Sequence, residues 1–221
     1  MAATPDVSFV VPARNEADYL PDCLESIAAL ETNYANEVIV VDGASTDGTA
    51  DVARAHGATV LEGTGSSITA GRNLGGREAD GEWLACIDAD TRVRPNYLTE
   101  MLGLVEREDL AAASSAYRMT GPLRAKLMEG RINHVFPRLG RPVLPGFNFF
   151  VRREAFLEAG GFPEVPNEDT AFSRRLAGQF PTGYHDAILV ESSGRRIADS
   201  GLTGTLFHYL TLDAGRLQAS V

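Results

Sequence analysis

The chain reads as an α/β protein built on a mostly parallel sheet flanked by helices. Short apolar runs alternate with stretches of helical periodicity through its first half. The clearest runs, at 7–12, 37–41 and 83–87, are nearly continuous in apolar residues, as strands covered on both faces are. Each run is followed by a polar cluster, at 13–16, 42–47 and 88–90, and ligands meet parallel sheets at the carboxyl ends of their strands.

Residues 7–12 (VSFVVP) make a first strand, and Leu20, Leu24, Ile27 and Leu30 recur at helical spacing across 16–30. Residues 37–41 (EVIVV) form a second strand closing on Asp42. The helix at 47–56 has Asp47 near its start and Gly57 at its end. A short strand at 59–61 precedes a helix at 66–79, which is expected despite Gly71, Gly75 and Gly76. Residues 83–87 (WLACI) close on Asp88, and 95–105 is a helix with Pro95 near its start. The second half is less regular. Strands are expected at 110–118, 147–151 and 184–190, and helices at 123–135, 153–159, 168–176 and 202–212. No repeat or linker interrupts residues 1–221, so one domain is expected.

With 221 residues, 44% hydrophobic and 23% charged, the composition excludes disordered and collagen-like chains. The net charge of -10 argues against a nonspecific grip on nucleic acid or an anionic membrane. Lys126 is the sole lysine, which fits a GC-rich genome and a salt-adapted organism equally. Cys23 and Cys86 sit in apolar settings and read as buried free thiols, in keeping with a reducing cytoplasm. No basic segment leads into an apolar run at the N-terminus, and no stretch nears the length of a membrane span; a cytoplasmic location is expected.

Asp88 and Asp90 stand two residues apart just past a strand. Such a pair can share a hard cation, magnesium or manganese, which takes one or two carboxylates plus substrate phosphates; a solvated turn beside a helix cap has the same pattern. Asp42 can accept hydrogen bonds from a nucleobase N–H or a ribose hydroxyl, or serve the turn that Gly43, Ser45 and Gly48 make; Asp47 reads as a helix cap. Glu16, after Pro12 and Arg14, can hold ribose or begin a helix. Arg72 can meet base or phosphate, or form a surface ion pair. Glu168 and Asp169 open a helix, where a carboxylate can take a proton from an attacking hydroxyl or match the helix dipole. Arg195 and Arg196 can bind diphosphate or balance an acidic surface. His56, His134, His185 and His208 lack zinc-ligand spacing. The absence of G-x-G-x-x-G at the first helix and of G-x-x-x-x-G-K-[ST] argues against dinucleotide oxidoreductases and P-loop NTPases.

Together these segments resemble family 2 glycosyltransferases. VPARNEADYLPDCLESI (11–27) is similar to their N-terminal signature, and VIVVDGASTDGTADVA (38–53) to their second-strand motif. AGRNLGGREADGEWLACIDADTRVRPNYL (70–98) resembles their third helix and D-x-D strand. GFNFFVRREAFLEAGGFPEVPNEDTAFSRRL (146–176) resembles their acceptor-side segment ending in E-D. The resemblance implies a GT-A fold and inverting, metal-dependent transfer of one sugar from a nucleotide-diphosphate sugar, UDP- or GDP-linked, with Mn2+ or Mg2+ as cofactor. Residues 1–98 would bind the nucleotide and 99–221 the acceptor. It places Pro12, Arg14 and Glu16 in the nucleotide pocket, Asp42 at the base and Arg72 near base or phosphate. Asp88 would hold ribose or assist the metal, Asp90 would bind the metal, and Asp169 would be the general base, with Glu168 beside it. Phe147, Asn148, Phe149 and 161–167 are candidates for the acceptor wall.

The chain departs from the family pattern in places. Many members carry a metal-binding histidine where this chain reads LVESS (189–193), so Arg195 and Arg196 are expected to meet the diphosphate instead. The Q-x-x-R-W motif of processive synthases is missing, which implies single transfers. The acceptor is open, a glycan or a lipid phosphate; the latter would bring 202–212 or 123–138 to a membrane surface. Two rival readings share the carboxylates: a sugar-phosphate nucleotidyltransferase, and a noncatalytic nucleotide-sugar-binding or scaffold protein.

Overall fold

The structure is a computed structural model and describes residues 4–65, 67–120, 126, 129–130, 133 and 142–193. Its first half runs β1 (Val7–Ala13), α1 (Leu20–Ala28), β2 (Asn36–Asp42), α2 (Thr49–Ala55), β3 (Thr59–Glu62), α3 (Ile68–Glu78) and β4 (Trp83–Ile87). The second half adds β5 (Thr91–Val93), α4 (Tyr97–Arg107), β6 (Ala112–Thr120), β7 (Asn148–Arg152), α5 (Arg153–Glu158), α6 (Glu168–Ala177) and β8 (Thr182–Ser193). The strands form one sheet in the order β3-β2-β1-β4-β7-β6-β8-β5.

The first four strands in that order are parallel, as expected. Beyond β4 the sheet is mixed: β7 is antiparallel to β4 and β6, β8 is parallel to β6, and β5 is antiparallel to β8. Only residues 88–90 separate β4 from β5, too few for the crossover that a parallel neighbour requires. The chain therefore leaves the sheet at β4 and rejoins it at the far edge. The three-residue β5 is too short for periodicity to reveal, and it was not among the expected strands.

Every residue of β1 is buried because helices cover both faces. Phe9 and Val11 point into one core with Leu20, Cys23, Leu24 and Ile27 of α1 and with the buried face of α4. Val10 points into the other, with Phe149, Phe156, Phe162 and Phe172. α1 begins at Leu20 rather than residue 16, and Asn15 in the loop ahead of it takes a positive φ of 53°. The glycines of α3 are packing residues. A Cβ on Gly75 would lie 2.4 Å from Val10 Cγ1, and one on Gly76 would lie 2.6 Å from Phe156 Cε1. Their absence lets α3 rest directly on β1 and α5.

Of the helix expected at 123–135, residues 126, 129–130 and 133 are described, and they are helical. Asn133 accepts from the Tyr117 N–H (3.1 Å) and donates to its carbonyl (2.7 Å), and Glu129 accepts from the Met119 N–H (2.7 Å). These side chains cover an edge of β6 past the point where β7 pairs with it. The helix expected at 202–212 lies outside the described residues. Among those described, no helix is long and apolar enough to cross a membrane.

Candidate active site

The parallel register sets Ala13 beside Asp42, so the loops after β1 and β2 emerge together. They are laced to one another. The Asn15 N–H donates to Ser45 Oγ, and Asn15 Oδ1 accepts from the Thr46 N–H, both at 2.9 Å. The Glu16 N–H donates to Thr49 Oγ1 (2.9 Å), whose hydroxyl donates to Asp47 Oδ1 (2.6 Å). Asp47 also accepts from the N–H groups of Thr49 (3.1 Å) and Ala17 (3.1 Å). These bonds, chiefly that from the Thr49 hydroxyl, hold its carboxyl below the ordinary range. Asp47 is thus more than the cap its position suggests, since it joins two loops.

A cleft of about 410 Å³ opens at these strand ends, lined by Pro12, Arg14, Glu16, Gly43, Gly65 and Gly71 among others. Arg14 Nη1 donates to the Gly65 carbonyl (2.9 Å), and Gly65, at φ 68°, approaches Gly43 so closely that a Cβ would sit 2.7 Å from its carbonyl oxygen. Asp42 lies between two residues of the cleft wall, Val41 and Gly43, and is 9% exposed. Its Oδ2 accepts from the Ser45 N–H (3.3 Å), while its buried Oδ1 has no donor. A buried acceptor left without a partner is costly, and a ligand N–H would satisfy it.

At the end of β4, Asp88 is buried and its Oδ1 accepts from Arg72 Nη2 (2.8 Å). Arg72 is 3% exposed, and its Nη1 donates to Glu168 Oε1 (2.9 Å). Burial works against the guanidinium cation, but Asp88, the Cys86 sulfur and Glu168 outweigh it and its pKa rises. Arg72, expected near base or phosphate, stands between two carboxylates. Asp90 is half-buried, and its carbonyl accepts from the Ser193 N–H (3.2 Å). Beneath this turn lie the two thiols. Burial, with Asp88 adding to it, pushes both up, Cys86 to about 12; both are free and buried, as expected.

Asp169 lies in the first turn of α6 and is half-buried. Its Oδ1 accepts from the Thr170 N–H (2.6 Å) and its Oδ2 from the Gly146 N–H (3.4 Å). Asn148 is not at an acceptor wall. It is fully buried in β7, donating to the Ser115 carbonyl (3.0 Å) and hydroxyl (2.9 Å) and accepting from Tyr97 Oη (3.4 Å). Phe149 is likewise core, packed edge-on to Phe162 at 5.2 Å. Phe147 alone of the three is half-buried, set against Tyr117 at 4.9 Å. The strand's alternation sends neighbouring residues into opposite cores, which a run of apolar letters conceals. A contact without a sequence signal is Asn73, whose amide both donates to the Phe162 carbonyl and accepts from its N–H, each at 2.8 Å.

No group of three or more metal-ligating side chains occurs among the described residues. His185 sits 3.2 Å from Glu100, and Arg195 and Arg196 lie outside those residues. With Asp88 engaged by Arg72, Asp90 is the remaining carboxylate of the D-x-D turn. That donor set suits a hard cation that takes one or two protein carboxylates plus phosphate oxygens, and does not suit an all-protein cage.

A parallel half-sheet with a cleft at its strand ends and carboxylates beside it defines an α/β protein of the GT-A type. Solved structures share this fold. TarS residues 1–349 from S. aureus superpose with a TM-score of 0.70 at 18% identity, over 86% of this chain and 60% of theirs. The mannosyltransferase PcManGT of Pyrobaculum calidifontis, solved with GDP-Man and Mn2+, gives 0.70 at 24% identity over 86% and 57%. The chain belongs to glycosyl transferase family 2, whose profile matches residues 8–160. Its curated relatives include the glycosyltransferase AglE of Haloferax volcanii, 26% identical over 83% of this chain and 66% of that protein. The succinoglycan biosynthesis protein ExoO of Rhizobium meliloti is 34% identical over 65% of this chain and 42% of its own length. The chain therefore spans less than two thirds of these relatives.

Proposed function

We propose that this chain transfers a single sugar, with inversion, from a UDP- or GDP-linked donor to an acceptor hydroxyl or phosphate. The observation that carries the reading is the unpartnered, buried Oδ1 of Asp42, a residue set between two residues of the cleft wall. In this reading Asp42 receives the base N–H, while Pro12, Arg14 and Glu16 shape the pocket around base and ribose. Asp169 accepts the acceptor proton as its oxygen attacks the anomeric carbon, and the nucleoside diphosphate departs from the opposite face. Glu168 shapes the acceptor side. Asp90 would hold Mn2+ or Mg2+, which neutralises the leaving diphosphate, while Asp88 holds ribose or assists the metal. Arg195 and Arg196 would meet the same diphosphate, which guanidinium groups suit. A lipid-phosphate acceptor would bring residues 202–212 to a membrane surface.

The test is a thermal-shift panel of UDP, GDP, dTDP and CDP with and without manganese. A ligand at 100 times its Kd raises stability by about 2.7 kcal/mol. A manganese-dependent shift with one nucleotide, lost in Asp90→Ala, supports the reading, and no shift with any nucleotide overturns it. An Asp169→Asn variant that binds the nucleotide normally but no longer transfers sugar separates an enzyme from a noncatalytic binder.

A further inference from the structure

α3 lies between the nucleotide cleft and loop 160–167, and it reaches that loop from three positions. Ser67, its N-cap, donates to Glu164 Oε1 (3.4 Å) and also lines the cleft. Asn73 clamps the Phe162 backbone by two hydrogen bonds. Arg72 rests its guanidinium 5.4 Å from the Phe162 ring centre, and its two Nη atoms bind Asp88 on one side and Glu168 on the other.

Arg72 is confined on every side that the structure describes. A Cβ on Gly146 would lie 2.7 to 2.9 Å from its Nη1, Cζ and Nη2, so a side chain at 146 would displace the guanidinium. That same glycine donates its N–H to Asp169 Oδ2. A shift of the guanidinium would thus reach Asp169 by two routes: through Glu168, the residue before it, and through the Gly146 amide. A planar fork holds two carboxylates at a set span, which a lysine ammonium cannot do. The Nε of Arg72 is buried without an acceptor, so the side chain is committed to its two Nη contacts at a cost in hydrogen bonding.

We infer that Arg72 is a positioning residue: it sets the first turn of α6, and with it Asp169, against the carboxylates at the end of β4. The inference rests on the glycosyl-transfer reading and goes beyond it by assigning the alignment of the proton-accepting carboxylate with the donor site to one buried side chain.

The experiment compares wild type with Arg72→Lys, Arg72→Ala and Gly146→Ala. Nucleotide Kd is measured by calorimetry, and release of nucleoside diphosphate from the matching nucleotide sugar is measured with water as acceptor. A displacement of this kind lowers kcat about 100-fold, a larger loss than any in nucleotide Kd. Guanidinium ion added to Arg72→Ala restores kcat, but does nothing for Gly146→Ala, where the space is filled. Equal losses in kcat and Kd, or an unchanged kcat, overturn the inference. If wild type neither binds nucleotides nor releases diphosphate, the glycosyl-transfer reading fails, and hydrogen exchange still decides the positioning role. Exchange at the Gly146 and Thr170 amides should then be faster in Arg72→Lys and Gly146→Ala, and unchanged exchange in both overturns it.

Discussion

Asp42 keeps a carboxylate oxygen buried without a donor, a cost that a protein selected for stability alone would shed. Asp42→Asn preserves the shape and can keep the Ser45 contact, but it presents N–H where a base would bring N–H. Calorimetry should show nucleotide affinity falling about 10- to 100-fold, with the melting temperature of the free protein unchanged or raised. Unaltered affinity would remove Asp42 from the base pocket. The thiols make a second prediction. Cys86 rises from an ordinary 9.0 to about 12, first through burial, and Cys23 moves the same way. The folded state therefore favours the protonated thiols. Their contribution is complete below pH 9.0 and is lost as pH rises from there towards about 12. Each thiol adds a slope of about 1.4 kcal/mol per pH unit in that window. Urea titrations between pH 8 and 11 should show this decline, and Cys86→Ala should make it shallower.

α3 and α4 both carry glycine within a helix, yet the two should answer substitution in opposite directions. Alanine in a helix interior is favoured over glycine by about 0.8–1.0 kcal/mol. In α4, a Cβ at Gly103 meets nothing within 4 Å, so Gly103→Ala should stabilise by about that amount. In α3, a Cβ at Gly75 lands 2.4 Å from Val10 Cγ1 and 3.2 Å from Val41 Cγ2. Overpacking costs about 1–3 kcal/mol and outweighs the propensity gain, so Gly75→Ala should destabilise. Chemical denaturation of the two variants gives both signs, and a stabilised Gly75→Ala would mean that α3 does not press on β1 as described. The same comparison explains why helical periodicity identified α3 in spite of its glycines while concealing their purpose.

Across the molecule, 30 acidic residues against 20 basic ones produce self-repulsion that salt relieves. The melting temperature should climb from low ionic strength to about 0.15 M, where the screening length falls to about 8 Å. The Asp88–Arg72–Glu168 contacts, centred on a buried guanidinium, should be less affected. Calorimetry across a salt series checks this, and a flat or falling curve would mean that surface ion pairs outweigh the net charge.

The strands β1, β2 and β4, the helices between them and the polar clusters at their ends were legible in the letters, because periodicity and turn chemistry are properties of neighbouring residues. The D-x-D and E-D carboxylates could be named for the same reason. Their relations could not. Arg72 and Glu168 are 96 residues apart in sequence and 2.9 Å apart in space, and nothing within ten residues of either announces the contact. Asn148 has the composition of a site residue and lies in the core, because the pleat of β7 turns its amide towards Ser115. The mixed sheet beyond β4 is of the same kind, since pairing depends on where the chain returns rather than on what each strand is made of. Local chemistry selects the elements and their candidate ligands; long-range packing settles which of those ligands face one another.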